Sequence, residues 1–522
     1  MTGRVVLLTA VVAVAGGGTF AAVRYPAPAP PATAAHRITL PTTGVAAVPT
    51  CPGPETLVAP PGGQVVPPGG PVAVAGLSQG GPALLADRPV VLGPTGVGVL
   101  NLPRTAAGTI ALRAADPPAA APTGPSGGEV PGLSLVQLGL NRSGDLRGLT
   151  ALVCSTPSTR VWLVGGGTQP GRRGRLLIAN PAATPATVDV TVHGPQGVVS
   201  APGGSGVVVP AKGQVALLID ALVPALDAIA VEVRARTGRV VAVLHDAWVR
   251  GVIPGGVDDV TAAASAGRTQ YVPGVTVAAG APLPGRPGDP GAVAVRVVNP
   301  GTGAAVARVR LIGPAGSLAL DHAVVTIGPG AVADVPVTGV PSGAYVAVVE
   351  SDTPVLAGAV VGRRAVGSGA EAAAGAGAGA VLPAEFGWAP SVEPLTTPAV
   401  VALPSLQQDG RRVVVGATLT VAAPGSEADI GVDELDERGG VLRTTTLAVP
   451  AGASAVRPLL WAAVGLRVRP LGGPGEPVVA ALLLQAADPV GPLISVLPVR
   501  PGATGAGARP EILADPRVGL RR

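Results

Sequence analysis

The stretch LLIANPAATPATVDVTVHGPQG at residues 176–197 decides the fold, because the chain repeats it as VRVVNPGTGAAVARVRLIGPAG at residues 295–316. The two copies align without insertion or deletion, and each carries an Asn-Pro pair near its start and a Gly-Pro-x-Gly segment at its end. Repetition at a fixed spacing is typical of tandem supersecondary units and not of one large enzyme fold.

Apolar and polar side chains alternate between the two conserved landmarks. Val188, Val190 and Val192 alternate with polar residues in the first copy, and the second copy keeps the apolar positions within residues 307–311. A period of two is typical of a strand with one buried face. The Gly-Pro-x-Gly segment favours a hairpin turn, since Gly permits positive φ and Pro fixes φ near −65°.

Each copy contains five or six short apolar runs separated by turn residues, which predicts an all-β chain of tandem immunoglobulin-like β-sandwich domains. A diverged third copy ends near residues 478–484, and Pro450 stands in it where Pro210 and Pro329 stand in the first two. A β-propeller-like assembly of the same strands is the alternative architecture.

These patterns predict nine segments along the chain. They are a signal peptide or signal anchor (1–24), a Pro/Ala-rich spacer (25–50), an N-terminal β-domain with a disulfide (51–170), sandwich repeat 1 (171–255), a linker (256–288), sandwich repeat 2 (289–365), a Gly/Ala/Pro-rich linker (366–400), diverged repeat 3 (401–500) and a flexible tail (501–522).

Composition bounds the class of protein. The chain has 77 Gly and 59 Pro, yet 47% of its residues are hydrophobic, which is enough to form cores between Gly- and Pro-rich loops. The formal net charge of +5 comes from scattered Arg, and aromatic residues make up 2%. Proteins that bind single-stranded nucleic acid combine a basic groove with stacking aromatic rings. We therefore expect no nucleic-acid partner.

The N-terminus predicts export. Arg4 precedes an apolar run at residues 5–23, and Arg24 follows it. The first part of the run has the length of a signal-peptide core, and the whole run is just long enough to cross a bilayer. Both interpretations place the rest of the chain outside the cytoplasm, either secreted or anchored to the membrane by this segment.

The two cysteines, Cys51 and Cys154, predict one disulfide in an exported chain. Closing a loop of about a hundred residues stabilises a fold by roughly 4–5 kcal/mol in chain-entropy estimates. Two buried thiols are the alternative. No His or Cys stands near either cysteine at ligand spacing, so we expect no metal site there and no cofactor.

Few residues suggest catalysis. His245 and Asp246 stand next to Trp248, but adjacent residues of a strand point to opposite faces, and no Gly-x-Ser-x-Gly motif is present. We therefore interpret this segment as the end of a strand. The acidic residues at 433–437 are expected on a solvated hairpin end, and the acidic pair at 258–259 in a loop. The sequence predicts no catalytic residue.

Two sets of residues are candidates for binding. Arg172, Arg173 and Arg175 follow a Gly-rich loop and are candidates for contact with an anionic polymer or lipid headgroup. Phe386 and Trp388 lie in a Pro-rich segment and are candidates for an exposed aromatic contact. His193 is expected on a solvated strand face. The remaining tryptophans are assigned to the core: Trp162, Trp248 and Trp461.

The segment around Cys154 also carries a family resemblance. Leu-Val-Cys at residues 152–154, Trp-Leu-Val-Gly-Gly at residues 162–166 and Asn180-Pro181 follow a Cys-Pro pair at residues 51–52. This arrangement resembles a family of actinobacterial secreted or membrane-anchored proteins that is described only as a domain of unknown function. The resemblance implies an envelope location and no assigned activity.

The sequence as a whole favours a non-enzymatic, extracytoplasmic scaffold or accessory protein of the bacterial cell envelope that acts through protein–protein contacts. Its partners would be the membrane, through the N-terminal segment, and an envelope protein or a wall polymer. A module that binds cell wall or polysaccharide is the first alternative, although it usually presents aromatic platforms. An envelope hydrolase or transferase with a cleft near His245 or Asp258 is the second.

Overall fold

The fold is known from a computed structural model. It describes residues 36–39, 48–53, 72–79, 83–85, 88–92, 97–104, 110–114, 132–223, 225–279, 291–364, 384–408, 411–413, 415–472, 477–489, 491, 493–501, 503–504 and 511–514. Within these ranges the chain is all-β, which confirms the predicted fold class. The helical segments there are a 3₁₀ turn at Pro202–Gly204 and an α-helical turn at Ile219–Leu222.

No helix within the described ranges combines the length and the apolar character needed to cross a bilayer. The predicted signal or anchor segment at residues 1–24 lies outside those ranges.

A short ladder pairs residues near the two chain ends. Strand β1 (His36–Thr39) is antiparallel to β37 (Glu511–Ala514), with His36 opposite Ala514. The strands between them, β2–β36, belong to a second compact unit that spans residues 45–506.

The first module of that unit, module 1, comprises eight strands and two sheets. The strands are β2 (Thr50–Cys51), β3 (Val72–Gln79), β4 (Ala83–Leu85), β5 (Arg88–Val90), β6 (Val97–Arg104), β7 (Ile110–Ala114), β8 (Gly132–Asn141) and β9 (Gly148–Val153). One sheet has the order β2-β7-β4-β5, and the other has the order β6-β3-β8-β9.

Module 2 contains the first of the two sequence copies. Its strands are β10 (Arg160–Val164), β11 (Arg172–Asn180), β12 (Ala186–Gly194), β13 (Gly197–Val199), β14 (Val207–Val209), β15 (Gly213–Leu218), β16 (Ala230–Thr237), β17 (Val241–Arg250) and β18 (Ile253–Val260). The sheets have the orders β10-β16-β12-β13, with β14 also pairing β12, and β15-β11-β17-β18.

Module 3 contains the second copy. Its strands are β19 (Gly267–Val277), β20 (Val293–Val298), β21 (Ala305–Gly313), β22 (Gly316–Ile327), β23 (Val332–Pro336), β24 (Gly343–Arg364) and β25 (Ala384–Pro390). The long strand β24 contributes its first half to the ladder β19-β24-β21-β22 and its second half to the ladder β23-β20-β24-β25.

Module 4 contains the diverged copy. Its strands are β26 (Ala399–Ala402), β27 (Gln407–Gln408), β28 (Arg411–Arg412), β29 (Val415–Ala423), β30 (Ala428–Leu435), β31 (Val441–Val449), β32 (Ala453–Pro458), β33 (Gly465–Pro470), β34 (Val479–Ala486) and β35 (Leu493–Val499). The sheets are β26-β33-β30-β31 and β32-β29-β34-β35, and β27 pairs with β28. The last short strand, β36 (Ala503–Thr504), returns to β8.

The four modules share one strand order. In each, the first strand along the chain lies at one edge of one sheet, which we call the outer sheet, and the last lies at one edge of the other, which we call the inner sheet. In module 2, residues from both sheets enter one core, as the contacts among Leu163, Leu176, Val190 and Leu244 show. Module 1 therefore has the architecture of the two sequence copies, although no repeat is visible in its sequence.

Two landmarks of the repeated sequence have the same structural role in both copies. Asn180 accepts the N–H of Ala182 at 3.0 Å and donates to the carbonyl of Thr184 at 2.8 Å. Asn299 repeats the turn with the N–H of Gly301 at 2.9 Å and the carbonyl of Gly303 at 2.7 Å. The asparagine side chain therefore closes the loop after the second strand of the module.

The predicted hairpin turns are also present. Gly197 and Gly316 begin the return strands with φ of 113° and 106°, a backbone conformation that favours glycine. The segments assigned to linkers at 256–288 and 366–400 contain structure as well, since most of β18 and all of β19 lie in the first and β25 in the second. Each of these strands contains Gly and Pro residues, which interrupt the apolar alternation and hide the strand from the sequence pattern.

The last strands of the four modules contact one another in a closed cycle. Strand β18 contacts β9 and β25, and β35 contacts β25 and β9. Each module is thus a pair of facing sheets, and the four inner sheets meet along their edges. We call the region where β9, β18, β25 and β35 meet the four-strand junction.

Candidate functional site at the four-strand junction

One chain of hydrogen bonds runs through all four strands of the junction. The N–H of Ala151 on β9 donates to Oγ of Ser495 on β35 at 3.0 Å, and that hydroxyl donates to Oδ1 of Asp258 on β18 at 2.7 Å. The N–H of Trp388 on β25 donates to Oδ2 of the same carboxyl group at 2.6 Å. Asp258 therefore links three neighbouring modules directly and the fourth through Ser495.

Trp388 also carries a second link between modules. Its indole Nε1–H donates to Oδ2 of Asp246 at 2.9 Å, and the same oxygen forms an ion pair with Arg172. All three side chains are buried. Hydrogen bonds to a charged carboxylate are strong in such a low-dielectric site, because water does not screen the carboxylate from its two donors.

The guanidinium group of Arg172 lies between aromatic rings. It is 4.6 Å from the ring of Trp248 and 4.9 Å from that of Phe386. Cations are attracted to aromatic faces, and the attraction grows when the cation is desolvated. Arg172 therefore holds the inner sheet of module 2 against β25 of module 3.

A second buried carboxyl group lies close to Asp258. Oε1 of Glu385 accepts the N–H groups of Val257 and Phe386, each at 3.2 Å. Burial raises the pKa of Glu385 well above its usual value, and the nearby Asp258 raises it further. Burial likewise raises the pKa of Asp258 well above the ordinary aspartate value, with a contribution from Asp259. Both carboxyls thus favour their protonated forms.

A second arginine, Arg296, joins modules 2 and 3 beside the junction. Arg296 donates through Nη1 to the carbonyls of Gly166 at 2.5 Å and Ile229 at 3.0 Å. It also pairs with both carboxylate oxygens of Asp334 at 2.8 and 2.9 Å, and it lies 5.0 Å from the ring of Trp388. The guanidinium charge is therefore satisfied on every side although the residue is 1% exposed.

Modules 1 and 4 are joined by a comparable pair. Arg147 donates to the carboxylate of Asp488 at 2.7 Å and to the carbonyl of Gly491 at 3.1 Å. A different contact involves Arg500, which follows β35 and donates to the carbonyl of Ala262 in the segment between β18 and β19. Burial lowers the pKa of Arg500 to about 10. The interfaces between modules thus contain charged and polar groups with partners in a neighbouring module.

His245 pairs with Asp259 and not with Asp246, its neighbour in the sequence. His245 Nδ1 lies 2.9 Å from Oδ1 of Asp259 on β18, while Asp246 points into the junction. The expectation that His245 and Asp246 lie on opposite faces is met by these contacts. The expectation that Asp258 and Asp259 lie in a loop is wrong, since both are on β18 and both are buried.

The three arginines predicted to contact an anionic ligand lie in different environments. Arg172 is buried in its ion pair with Asp246, so it is not accessible to a polymer or headgroup, and the prediction is wrong for this residue. Arg173 is exposed and lies 3.0 Å from Asp145, and Arg175 is half-buried. Adjacent residues of β11 face opposite sides, which separates Arg172 from Arg173.

The predicted exposed aromatic contact is wrong. Phe386 and Trp388 are fully buried on β25, at 0% and 2% exposure, because this strand lies at the junction and not in a linker. Trp461, which the sequence assigned to the core, is 70% exposed. Trp162 and Trp248 are buried as expected.

Two further expectations of solvent exposure are wrong. His193 is buried where module 2 meets module 3, with its Nδ1 2.8 Å from the carbonyl of Gly330. Burial lowers the pKa of this histidine. Asp433 and Glu434 are also buried, because Arg467 and Arg443 cover them. The sequence shows that a strand face is polar. It does not show that partners from other parts of the chain cover that face.

The cysteine prediction is confirmed. Cys51 and Cys154 form a disulfide with a Cα–Cα distance of 4.7 Å and a sequence separation of 103. It ties β2 to the residue that follows β9, so one end of the covalent link lies next to the junction.

The sequence analysis does not identify three residues in or beside the junction: Arg296, Glu385 and Ser495. A signal for Arg296 was present, since it is a lone charge inside the apolar run at residues 293–298. A charge in such a run is buried and paired, or it marks a site. Nothing in the sequence indicated that Ser495 lies beside Asp258.

The described part of the chain holds no group of three or more His, Cys, Asp or Glu side chains placed to bind a metal ion. Asp258 accepts donors from neighbouring strands on both of its oxygens. Asp246 and Glu385 each accept through one oxygen, and Oδ1 of Asp246 and Oε2 of Glu385 are buried without a hydrogen-bond partner among the described residues. The arrangement acts chemically as a set of cross-links between sheets.

Comparison with known families gives one result. Residues 112–458 match the profile of a family of unknown function (DUF5719), and because this match covers more than half of the sequence, the chain belongs to that family. The matched region includes Cys154, Asp246, Asp258, Glu385 and Trp388, whereas Cys51 and Ser495 lie outside it. The search of curated proteins gave no match.

Proposed function

We propose that this member of the family is a non-enzymatic scaffold or accessory protein of the bacterial cell envelope, located outside the cytoplasm and acting through protein–protein contacts. The observation that carries the proposal is the use of the buried titratable groups. Asp246, Asp258 and Arg172 hold strands of different modules together, and each faces donors or acceptors of the protein itself. Such an arrangement supports a rigid platform.

The proposed location rests on two features. The disulfide between Cys51 and Cys154 is of the kind that persists in oxidising compartments. The apolar segment at residues 5–23 has the pattern of an export signal or a membrane anchor. The envelope of actinobacteria is the setting that the sequence resemblance implies.

The experiment is crosslinking of the tagged, full-length protein in cells, followed by mass spectrometry of the membrane fraction. We expect one discrete envelope protein to be recovered with it, and the N-terminal segment to be present if it serves as the anchor. Recovery of wall polymer alone would contradict the scaffold proposal. The matched control is the same protein with reversed charge at Arg173 (Arg173→Glu), an exposed residue that pairs with Asp145 and not with Asp246.

An envelope hydrolase or transferase is the competing class, and the pair of His245 and Asp259 is its best candidate site. His245 is half-buried and lies 2.9 Å from the carboxylate, the geometry of a histidine oriented by an acid. Replacing His245 with Ala tests it. A scaffold retains its crosslinked partner and its cellular phenotype in this variant, whereas an enzyme loses the phenotype while keeping the partner.

A module that binds polysaccharide is supported by one observation. The ring of Trp461 is 70% exposed and borders a shallow cavity of about 30 Å³ whose walls include Leu138, Val413 and Leu484. An exposed ring can stack on a sugar, although this cavity is too small to enclose one. Loss of binding to purified wall polymer in Trp461→Ala, with Trp461→Phe retaining it, would favour this function.

A further inference from the structure

Strand β31 is an edge strand of the outer sheet in module 4. It pairs with β30 along one side, and no other described strand pairs with its second side. Five of its nine residues are exposed, including Val441 and Leu442 at 40% each. An edge strand presents unpaired N–H and C=O groups, which form a template for another strand.

The corresponding edges of the other modules carry features that prevent such pairing. Strand β5 is three residues long and contains Arg88 and Pro89. Strands β13 and β14 are three residues each. Strand β22 is long, but Asp321 and His322 are exposed in it and its register shifts opposite residues 308–310. Short length, charge, proline and irregular register are all known protections of sheet edges.

Strand β31 has fewer of these protections: it is nine residues long and contains no proline, and what remains is one inward-pointing charge and one register shift. Its register with β30 is continuous from Val449 to Arg443, and the shift lies at the end next to the turn. Its one charged side chain, Arg443, is turned inward and held by the carboxylate of Glu434 and the carbonyl of Pro458. The exposed face of the strand therefore carries only uncharged side chains: Leu442, Thr444, Thr446 and Ala448.

The sequence of β31 also allows two copies of the strand to pair with each other. In an antiparallel pair centred on Thr445, Thr444 lies opposite Thr446 and Leu442 opposite Ala448. Thr–Thr and apolar cross-strand pairs are favourable, and like charges placed opposite are not. The two copies of Arg443 would be about 14 Å apart along the strands, so they do not oppose each other.

We propose that β31 pairs antiparallel with β31 of a second copy of this chain, in the register centred on Thr445. The two outer sheets of module 4 then form one continuous sheet across the dimer. This inference is independent of the proposed envelope role, since it rests on the edge and sequence of the strand and not on location.

The test uses two full-length variants, Thr444→Cys and Thr446→Cys, oxidised separately and after mixing. In the proposed register these positions face each other at about 5 Å between Cα atoms, which suits a disulfide. Identical positions are about 8 Å apart, which is too far. We expect at least five times more crosslinked dimer on a non-reducing gel from the mixture than from either variant alone.

The matched control is the pair Val324→Cys and Thr326→Cys on β22, which are exposed and spaced identically on the protected edge. We expect no gain on mixing these two. Equal crosslinking from the single variants of β31 would indicate a parallel or shifted pairing and would overturn the proposal. So would crosslinking of β31 to a different protein.

A second measurement does not depend on cysteine variants. Light scattering of the unmodified protein is expected to give twice the 50.4 kDa mass of the chain. Thr446→Lys is expected to give the monomer mass, since lysine on an edge strand blocks pairing. A monomer before the substitution, over the concentration range of the crosslinking test, would overturn the proposal.

Discussion

At the scale of single residues, the protein depends on a few polar side chains inside an otherwise apolar interior. Trp388 combines both properties, because its ring fills space between modules while its two N–H groups reach Asp246 and Asp258. A polar group left without its partner in such a site costs more than the hydrogen bond itself contributed.

Replacing Trp388 with Phe is therefore expected to destabilise the protein. The ring volume is largely kept, but Asp246 loses the indole donor, which costs about 1.5–3 kcal/mol for a bond to a charged group. The change is measured as the shift of the urea unfolding midpoint. Trp461→Phe is the control, with an expected effect within about 0.5 kcal/mol because the ring is exposed.

The pKa values of Asp258 and Glu385 predict a dependence of stability on pH. Both are raised in the folded state, so the folded protein binds these protons more tightly than the unfolded chain does. Their contribution to stability is complete below the unfolded pKa of about 4 and is lost as pH rises through the folded values. Unfolding midpoints measured from pH 4 upward are expected to fall for this reason.

The double variant Asp258→Asn and Glu385→Gln isolates this effect. Because neither amide titrates, the decline in stability with rising pH is expected to become shallower than in the unmodified protein. Identical slopes in the two proteins would show that other groups set the dependence. Asp433 acts in the opposite direction at low pH: burial raises its pKa, but hydrogen bonds from Thr444, Arg467 and Arg469 outweigh burial and lower it.

At the scale of elements, the last strand of each module determines how modules associate. Strands β9, β18, β25 and β35 each pair within their own inner sheet through one edge. The other edge, and the side chains around it, meet the equivalent strands. Ser495 contributes most directly, because it contacts β9 and β18 at once.

Ser495→Ala is expected to weaken the contact between modules 1, 2 and 4. The N–H of Ala151 loses its acceptor and Asp258 loses a donor, which together cost about 1–3 kcal/mol. Thermal unfolding and protease sensitivity between modules measure the effect. Ser454→Ala is the matched control: this serine is also buried, its hydroxyl has no hydrogen-bond partner among the described residues, and the expected change is near zero.

At the scale of the whole molecule, four similar modules form a closed cycle, and the disulfide reinforces the cycle at module 1. The bond joins β2 to the end of β9, across a loop of 103 residues. It therefore restrains the unfolded chain and also fixes a module that contains three short strands, β2, β4 and β5.

Replacing both cysteines with serine is expected to destabilise the protein by about 4–5 kcal/mol, the chain-entropy value for a loop of this length. The midpoint of thermal unfolding measures the loss. A reducing agent should lower the midpoint of the unmodified protein to that of the double variant and leave the variant unchanged. A response of the variant to the reducing agent would assign the effect to something other than this bond.

Much of the local structure follows from the sequence alone. The alternation within residues 187–193 determines a strand with one buried face, and the glycines at 197 and 316 determine hairpin turns, since both are properties of a few consecutive residues. The Asn-Pro pair recurs because its side chain closes the same loop twice. The fold class was accessible for the same reason, whereas the disulfide was accessible because the chain has two cysteines and an export pattern.

Only the tertiary structure decided which charged residues are buried and which aromatic ring is exposed. Asp258 meets Ser495 and Trp388 across 237 and 130 residues of sequence, and no local pattern records such a contact. Burial of the Asp433 charge depends on Arg467 and Arg469, which lie on another strand of the same sheet. The exposure of the Trp461 ring is likewise decided by what packs around it. Strand geometry is a local property of the chain, whereas the junction exists only once four modules have closed their cycle.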